Sequence, residues 1–207
     1  MQRWLRIDAP NQDAAYGLIL RNRSKQDALL VKVKVQGFDA QGHSFVSDQQ
    51  QVTVIPAGAK FVVDGSLIWR TSTQLRRTRV HVQVGRVEAR GRRLPRVLDA
   101  SVVPTPPKTG GGLDATVSVG NPYKRVLPPS AKVYVAFLDS HGNVLDAGDA
   151  QTKIRMGRAE TVSVGIQGDL SNVPPYPKPS DVHSMLVTVD PCGTAAGSPS
   201  CPIVGAR

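Results

Sequence analysis

The stretch that decides the fold reads Val31-Lys-Val-Lys-Val-Gln-Gly-Phe-Asp-Ala-Gln-Gly42. Valines alternate with lysines in its first half, which is the period-two pattern of a strand with one buried face. An Asp followed three residues later by a Gly is typical of the turn that closes a β-hairpin. The stretch therefore predicts a strand with its valines in a core and its lysines in solvent, ended by a turn at Asp39 and Gly42.

The same pattern returns one hundred residues later as Ala131-Lys-Val-Tyr-Val-Ala-Phe-Leu-Asp-Ser-His-Gly142. The match continues without a gap as far as Gly65 and Gly165, so the chain contains an internal repeat. Asp139 and Gly142 are assigned the same turn role as in the first copy. We therefore divide the chain into a first repeat over residues 1–95, a second over residues 96–190, and a Gly/Ser/Pro-rich tail over residues 191–207.

The rest of each repeat consists of short alternating segments separated by turns, and no segment has a helical period. The last strand of the first repeat, Thr78 to Val87, predicts Val80, Val82 and Val84 inside with Arg79, His81 and Gln83 outside. Many short strands in about 90 residues indicate an antiparallel sandwich. The expected fold is all-β, with two tandem immunoglobulin-like antiparallel β-sandwich domains.

The charge is uneven along the chain. The formal net charge is +10, and residues 1–97 hold 17 Lys and Arg against 7 Asp and Glu, whereas residues 98–207 hold 9 of each. Such asymmetry is typical either of an anionic partner or of an ordinary solvated surface in an arginine-rich protein. The candidate binding residues form a basic patch at the domain junction: Arg76, Arg77, Arg79, Arg86, Arg90, Arg92, Arg93 and Arg96.

The two cysteines, Cys192 and Cys201, both lie near the end of the chain. They have neither CxxC spacing nor a neighbouring histidine, so a zinc site is disfavoured. We expect them to form a disulfide, which would place the protein in an oxidising compartment. The alternative is a pair of free thiols in the tail.

At the two hairpins the chain resembles the FxLYD family, small β-sandwich domains of bacterial cell-envelope proteins. The shared features are an Asn-containing turn, a valine-rich strand, an aromatic-apolar-Asp step and a Gly-containing turn. They are carried by Phe137-Leu138-Asp139 and Gly142 in the second repeat, while the first has Gly37 at the aromatic position. The resemblance implies an extracytoplasmic, non-catalytic module that serves as a spacer or an interaction platform.

No stretch predicts catalysis or a cofactor. Asp139-Ser140-His141 contains the residue types of a catalytic triad, but adjacent residues on a hairpin tip do not converge as a triad requires. The four histidines are scattered without metal-ligand spacing. Met1-Gln-Arg-Trp-Leu-Arg lacks the apolar run of a signal peptide, so any export segment is expected to be missing from this chain.

These patterns predict a non-enzymatic interaction or structural module, extracytoplasmic at the cell surface or secreted, that presents its sandwich surfaces to a protein partner. The alternative is a polyanion-binding module that acts through the arginine-rich junction. An anionic wall polymer or a membrane surface fits that alternative better than nucleic acid does, because aromatic residues for base stacking are scarce near the arginines.

Overall fold

The computed structural model describes residues 2–8, 12–89, 96–103, 113–121, 131–151, 161–167 and 177–193. Over these residues the chain forms antiparallel strands, with one short 3-10 helix at Pro179–Asp181. The all-β prediction is confirmed. The strands in chain order are β1 (Gln2–Asp8), β2 (Asp13–Arg21), β3 (Gln26–Phe38), β4 (Ser44–Ile55), β5 (Lys60–Ile68), β6 (Arg77–Gln83), β7 (Arg86–Ala89), β8 (Arg96–Val103), β9 (Asp114–Gly120), β10 (Lys132–Leu138), β11 (Val144–Gln151), β12 (Thr161–Gln167) and β13 (Ser184–Asp190).

The strands form four antiparallel sheets. Sheet I has the order β4-β3-β6, with β7 also paired to β3, and sheet II has the order β1-β2-β5. Sheet III has the order β11-β10-β13, and sheet IV has the order β12-β9-β8. Sheets I and II are built from residues 2–89, and sheets III and IV from residues 96–190. Each repeat therefore supplies one pair of sheets.

Sheets II and III pack against each other, so each is covered on both sides. Every residue of β2 over 14–20 is buried, and so is every residue of β10 over 133–137. The odd-numbered residues of β10 pack into the core between sheets III and IV. Tyr134 and Ala136 instead join the core of the first repeat, where the Tyr134 ring meets Phe61 edge-on at 5.7 Å. The two repeats thus share a buried boundary.

The repeated stretches form β3 and β10 and the turns after them. On β3 the valines are buried and the two lysines are exposed, which confirms the predicted alternation. Both turns contain a glycine with positive φ, 86° at Gly42 and 78° at Gly142, where a Cβ would be strained. The N–H of Gly42 donates to the Asp39 carbonyl at 3.3 Å, and that of Gly142 to Asp139 at 3.0 Å. The two hairpins therefore turn in the same way.

The two copies differ at the bulge before the turn, where Gly37 occupies the position of Phe137. The Phe137 ring is fully buried in the second core. At Gly37 the space is already filled, since an added Cβ would lie 2.6 Å from Val46 Cγ1 and 2.7 Å from Leu75 Cδ1. Leu75 lies in the segment before β6. The first repeat therefore fills this part of its core from β4 and from the loop before β6, and not from β3.

The last strand of the first repeat is interrupted, which its alternation did not predict. Strand β6 ends at Gln83 and β7 begins at Arg86, yet both pair with β3 in one continuous register. The interruption lies opposite Leu30, whose φ is 52°. A Cβ added at Gly85 would lie 3.0 Å from the Leu30 carbonyl oxygen. The irregular backbone of β3 therefore leaves little room for a side chain at this position.

The prediction that Val82 and Val84 lie in the core is wrong. Their exposed fractions are 47% and 45%, and Val80 is only half-buried. Strand β6 is an edge strand, and among the described residues it pairs with β3 alone. Val82 lies near the end of that edge strand and Val84 lies in the interruption that follows it, so no described strand covers either valine on the open side.

Two side chains of β13 hydrogen-bond to the backbone of the first repeat. Thr188 Oγ1 accepts the N–H of Val62 on β5 at 3.1 Å, and Asp190 Oδ2 accepts the N–H of Thr53 on β4 at 2.9 Å. Both β4 and β5 are edge strands of their sheets. A buried N–H left without an acceptor costs about 1–3 kcal/mol. The second repeat therefore supplies acceptors for two backbone N–H groups of the first.

Asp190 also fixes the start of the tail. Its Oδ1 accepts the N–H of Cys192 at 3.1 Å, and Cys192 is fully buried and disulfide-bonded. Cys201, the other cysteine of the sequence, lies outside the described residues, as do all residues from 194 onward.

Within the part of the chain that the structure describes, no helix is long and apolar enough to cross a membrane.

Candidate functional site

The outer face of sheet I carries several exposed basic side chains from two neighbouring strands. Lys32 and Lys34 project from β3 on the side opposite the buried valines. The register places Gln83 beside Lys32, His81 beside Lys34, Arg79 beside Gln36 and Arg77 beside Phe38. Directly opposed residues project from the same face of a sheet, with Cβ atoms about 4.5–5.5 Å apart. We call Lys32, Lys34, Arg77, Arg79 and His81 the basic face.

The side chains of the basic face are exposed to solvent. On the other side of β3, strand β4 contributes uncharged residues to the same face, with Gln51 opposite Lys32, Gln49 opposite Lys34 and Ser47 opposite Gln36. Within the described ranges, no ion pair involves the lysines or arginines of this face. Their charge is therefore available to an anionic partner.

The Phe38 ring lies beneath two arginines at one end of the basic face. The guanidinium carbons of Arg77 and Arg79 lie 4.9 and 5.4 Å from the centre of its ring, within the range of cation–π attraction. Phe38 is only 8% exposed. The ring therefore supports the two guanidinium groups and offers no open surface of its own.

The predicted junction arginines have different positions in the structure. Arg77 and Arg79 lie on the basic face, while Arg76 precedes β6 and donates to Gln74 Oε1 at 2.8 Å. Arg86 lies on β7, beyond the interruption, and pairs with Glu88 at 3.1 Å. Of the remaining candidates, Arg96 begins β8, and Arg90, Arg92 and Arg93 lie outside the described residues.

Sequence reasoning missed the part that Lys32 and Lys34 play. Both were assigned to solvent, which is correct, but nothing local to β3 shows that a basic strand lies beside it. The available signal was the alternation on each strand. It places Lys32 and Lys34 on the solvent side of one strand, and Arg79 and His81 on the solvent side of the other. Strand pairing brings these two rows together.

The hairpin tip Asp139-Ser140-His141 is built as a turn. Asp139 Oδ1 accepts the N–H groups of His141 and Asn143, each at 2.8 Å, and its Oδ2 accepts Asn143 Nδ2 at 2.9 Å. The His141 side chain is 83% exposed. The carboxylate is thus used to close the turn, and the neighbouring histidine is open to solvent.

The hydrogen bond from the Asn143 side chain, followed by the backbone N–H groups of Asn143 and His141, lowers the pKa of Asp139. Because the pKa of Asp139 is lower in the folded state than in the unfolded chain, the ionised carboxylate stabilises the turn at pH values above the unfolded-state pKa. This stability is lost as the pH falls through the folded-state pKa.

Asn143→Ala is expected to raise the Asp139 pKa toward the ordinary aspartate range. Carboxyl-carbon NMR titration would measure it, with Asp39 as the internal reference that the substitution leaves unchanged. An unchanged Asp139 titration would contradict this assignment.

A second polar group lies between sheets I and II. Tyr16 Oη donates to Asp48 Oδ2 at 2.5 Å, and Gln50 Nε2 donates to the same oxygen at 2.9 Å. Burial, and then the hydrogen bond to Asp48, raise the pKa of Tyr16 above its usual range. A tyrosine held in its protonated form donates a structural hydrogen bond. No group of three or more potential metal ligands occurs among the residues that the structure describes.

Comparison with known proteins adds little. No family model matches the chain, and no curated protein matches it. One similar solved structure is that of a β-glucuronidase from glycoside hydrolase family 2, at 8% sequence identity and a TM-score of 0.29. The match covers 86% of this chain and 24% of the glucuronidase chain. The chain thus spans about a quarter of that protein.

Proposed function

We propose that the protein is a non-catalytic interaction module that holds an acidic protein partner on its basic face. The observation that carries the proposal is the row of exposed cations on one sheet face, with glutamines and serine at the neighbouring positions. An extended patch of one sign steers an oppositely charged partner during encounter and selects against partners of like charge. Arg79 and Arg77 add the planar geometry that favours carboxylate groups.

The buried carboxylates elsewhere in the chain have structural roles, which supports a non-catalytic function. Three buried carboxylates accept backbone N–H groups: Asp27 from Ala57, Asp146 from Leu113, and Asp190 from Thr53. Each therefore satisfies an N–H that would otherwise be left without an acceptor. We accordingly propose that the fold serves binding and not catalysis.

The proposed setting is extracytoplasmic, in a cell-envelope or surface assembly of the FxLYD kind. The disulfide bond of Cys192 supports it, because disulfides persist in oxidising compartments. The repeated Asp/Gly hairpins on which that resemblance is based also support it.

A second candidate function is the binding of an anionic polymer or a lipid headgroup surface. Alternate residues on a strand are about 6.6–6.8 Å apart, so the face offers regularly spaced cations. Nucleic acid fits less well, since base stacking needs an open aromatic ring and Phe38 is covered by two arginines.

The test compares two variants that lose the same charge. The face variant carries Lys32→Ala, Lys34→Ala, Arg77→Ala and Arg79→Ala, and the control carries Lys25→Ala, Lys60→Ala, Arg70→Ala and Lys178→Ala, at exposed positions off the face. We expect the face variant alone to lose binding to polyglutamate and polyphosphate in calorimetry. With polyphosphate, the slope of log K against log salt should fall in magnitude by about 3, since each single-strand phosphate contact contributes about 0.7.

Equal losses in the two variants would mean that net charge alone drives binding, and would reject the basic face as a site. The two probes also separate the candidate functions. Tighter binding of polyglutamate at equal salt supports an acidic protein partner, and tighter binding of polyphosphate supports the polymer alternative.

A further inference from the structure

The edge of β6 combines two surfaces with different chemistry. On its outer side lie Arg79 and His81 of the basic face. On its inner side Val82 is exposed, and Val84 follows directly after the strand. Among the described residues, β6 has a hydrogen-bonding neighbour on one side only. An edge strand of this kind presents unpaired N–H and C=O groups to a further strand.

A groove of about 300 Å³ opens beside this edge. Six apolar residues line it: Leu20, Ala28, Val31, Ile55, Val82 and Val84. Arg21 and Arg23, both exposed, also border it. The volume is at the lower end of the range of small ligand pockets, which suits a few inserted side chains.

The charges on β6 determine which kind of strand can pair with its free edge. If β6 of a second copy paired with β6, the strand neighbours of Arg77 and Arg79 would come from the same basic strand, and like charges placed opposite each other are destabilising. Positive residues on an edge protect it from self-association in this way. They do not protect it from an acidic strand, whose carboxylates would lie opposite Arg79 and His81.

We propose that the β6 edge accepts an extended segment of an acidic partner protein, which adds to sheet I as a new edge strand. The segment has alternating apolar and acidic residues, because side chains alternate between the faces of a strand. Its acidic residues lie beside Arg79 and His81, and its apolar residues lie beside Val82 and enter the groove. Main-chain hydrogen bonds supply affinity and the alternation supplies specificity, as in other cases of strand addition. This inference rests on the proposed function and names the partner's chemistry.

The probe is a fluorescent peptide of alternating valine and glutamate, about eight residues long to match the length of β6. Its control is a peptide of the same composition with all valines followed by all glutamates. We expect the alternating peptide to bind about tenfold more tightly in fluorescence anisotropy, since several cross-strand pairs of modest energy add up. Methylating alternate peptide nitrogens along the edge that faces β6 should abolish the difference.

The matched protein variants test the groove. Val82→Thr with Val84→Thr should weaken the alternating peptide about tenfold by removing apolar contacts while keeping the β-branched shape. Val87→Thr, at an exposed valine of β7 outside the groove, should leave its affinity unchanged. Circular dichroism would show that the variants remain folded.

Two results would overturn the proposal. Equal binding by the alternating and block peptides, lost in the face variant, would reject strand addition and leave the basic face as a binding site. Binding of neither peptide would also reject strand addition, and the polyglutamate titration would then decide the proposed function separately.

Discussion

Asp190→Ala is expected to lower the free energy of unfolding by about 3–5 kcal/mol, because it leaves two buried N–H groups without an acceptor at about 1–3 kcal/mol each and also opens a small void. The two donors are the backbone N–H groups of Thr53 and Cys192. The first belongs to the other repeat, so the substitution should loosen the boundary between the two pairs of sheets. Urea unfolding would measure the loss.

Two further variants sharpen the Asp190 prediction. Asp190→Asn keeps one acceptor oxygen and should lose about half as much stability, because only one of the two N–H groups is left without an acceptor. Asp99→Ala, which removes an exposed carboxylate on β8, should change stability by less than about 0.5 kcal/mol. A similarly small change for Asp190→Ala would contradict the role of its carboxylate as the acceptor of two buried backbone N–H groups.

Burial raises the pKa of Asp190, although the hydrogen bonds from Thr53 and Cys192 oppose the shift. A carboxyl group with a raised folded-state pKa gives stability that is full below its unfolded-state pKa and is lost as the pH rises through the folded-state value. Asp190→Asn has no such titration, so its deficit relative to the wild type should be smaller at neutral pH than at low pH. The same unfolding series at several pH values would show this trend.

Gly65→Ala is the second substitution with a large expected effect. A Cβ at this position would lie 2.5 Å from Asp48 Oδ2 and 2.6 Å from Tyr16 Oη, beside the part-buried hydrogen bond that joins these two atoms. Overpacking costs about 1–3 kcal/mol. Separating the tyrosine from the carboxylate adds about 1.5–3 kcal/mol, since the bond involves a charged group. We therefore expect a loss of about 3–5 kcal/mol in urea unfolding.

A double-mutant cycle tests the cause of the Gly65 effect. Tyr16→Phe removes the oxygen that lies 2.6 Å from the added Cβ, so Gly65→Ala should cost less in that background than in the wild type. Ser66→Ala, at the exposed next residue of β5, should be nearly neutral. Strict additivity of Gly65→Ala and Tyr16→Phe would show that the two positions do not interact.

The features that the sequence predicts well are those that depend on residues close together in the chain. The alternation on β3 and the Asp/Gly turns depend on residues within a dozen positions of one another, and the structure has both features. The repeat at Gly65 and Gly165 could also be read from the sequence. Its physical reason in the first copy could not, because Tyr16 lies opposite Gly65 only when β2 pairs with β5, and Asp48 reaches Gly65 only when sheets I and II pack together.

The features that escaped prediction depend on distant parts of the chain. The Asp190 carboxylate meets a backbone N–H that is 137 positions away, and nothing around Thr53 signals this partner. Val82 and Val84 alternate as a buried strand does, but their exposure follows from the edge position of β6. The basic face likewise depends on the register between β3 and β6, which brings Lys34 beside His81.

Amide NMR titration with polyglutamate at low salt tests the basic face most directly. The proposed function predicts the largest shift changes on β3 and β6, at Lys32, Lys34, Arg77, Arg79 and His81, and their suppression by added salt. Largest changes at the control cations Lys25, Lys60, Arg70 and Lys178, with β3 and β6 unmoved, would contradict it.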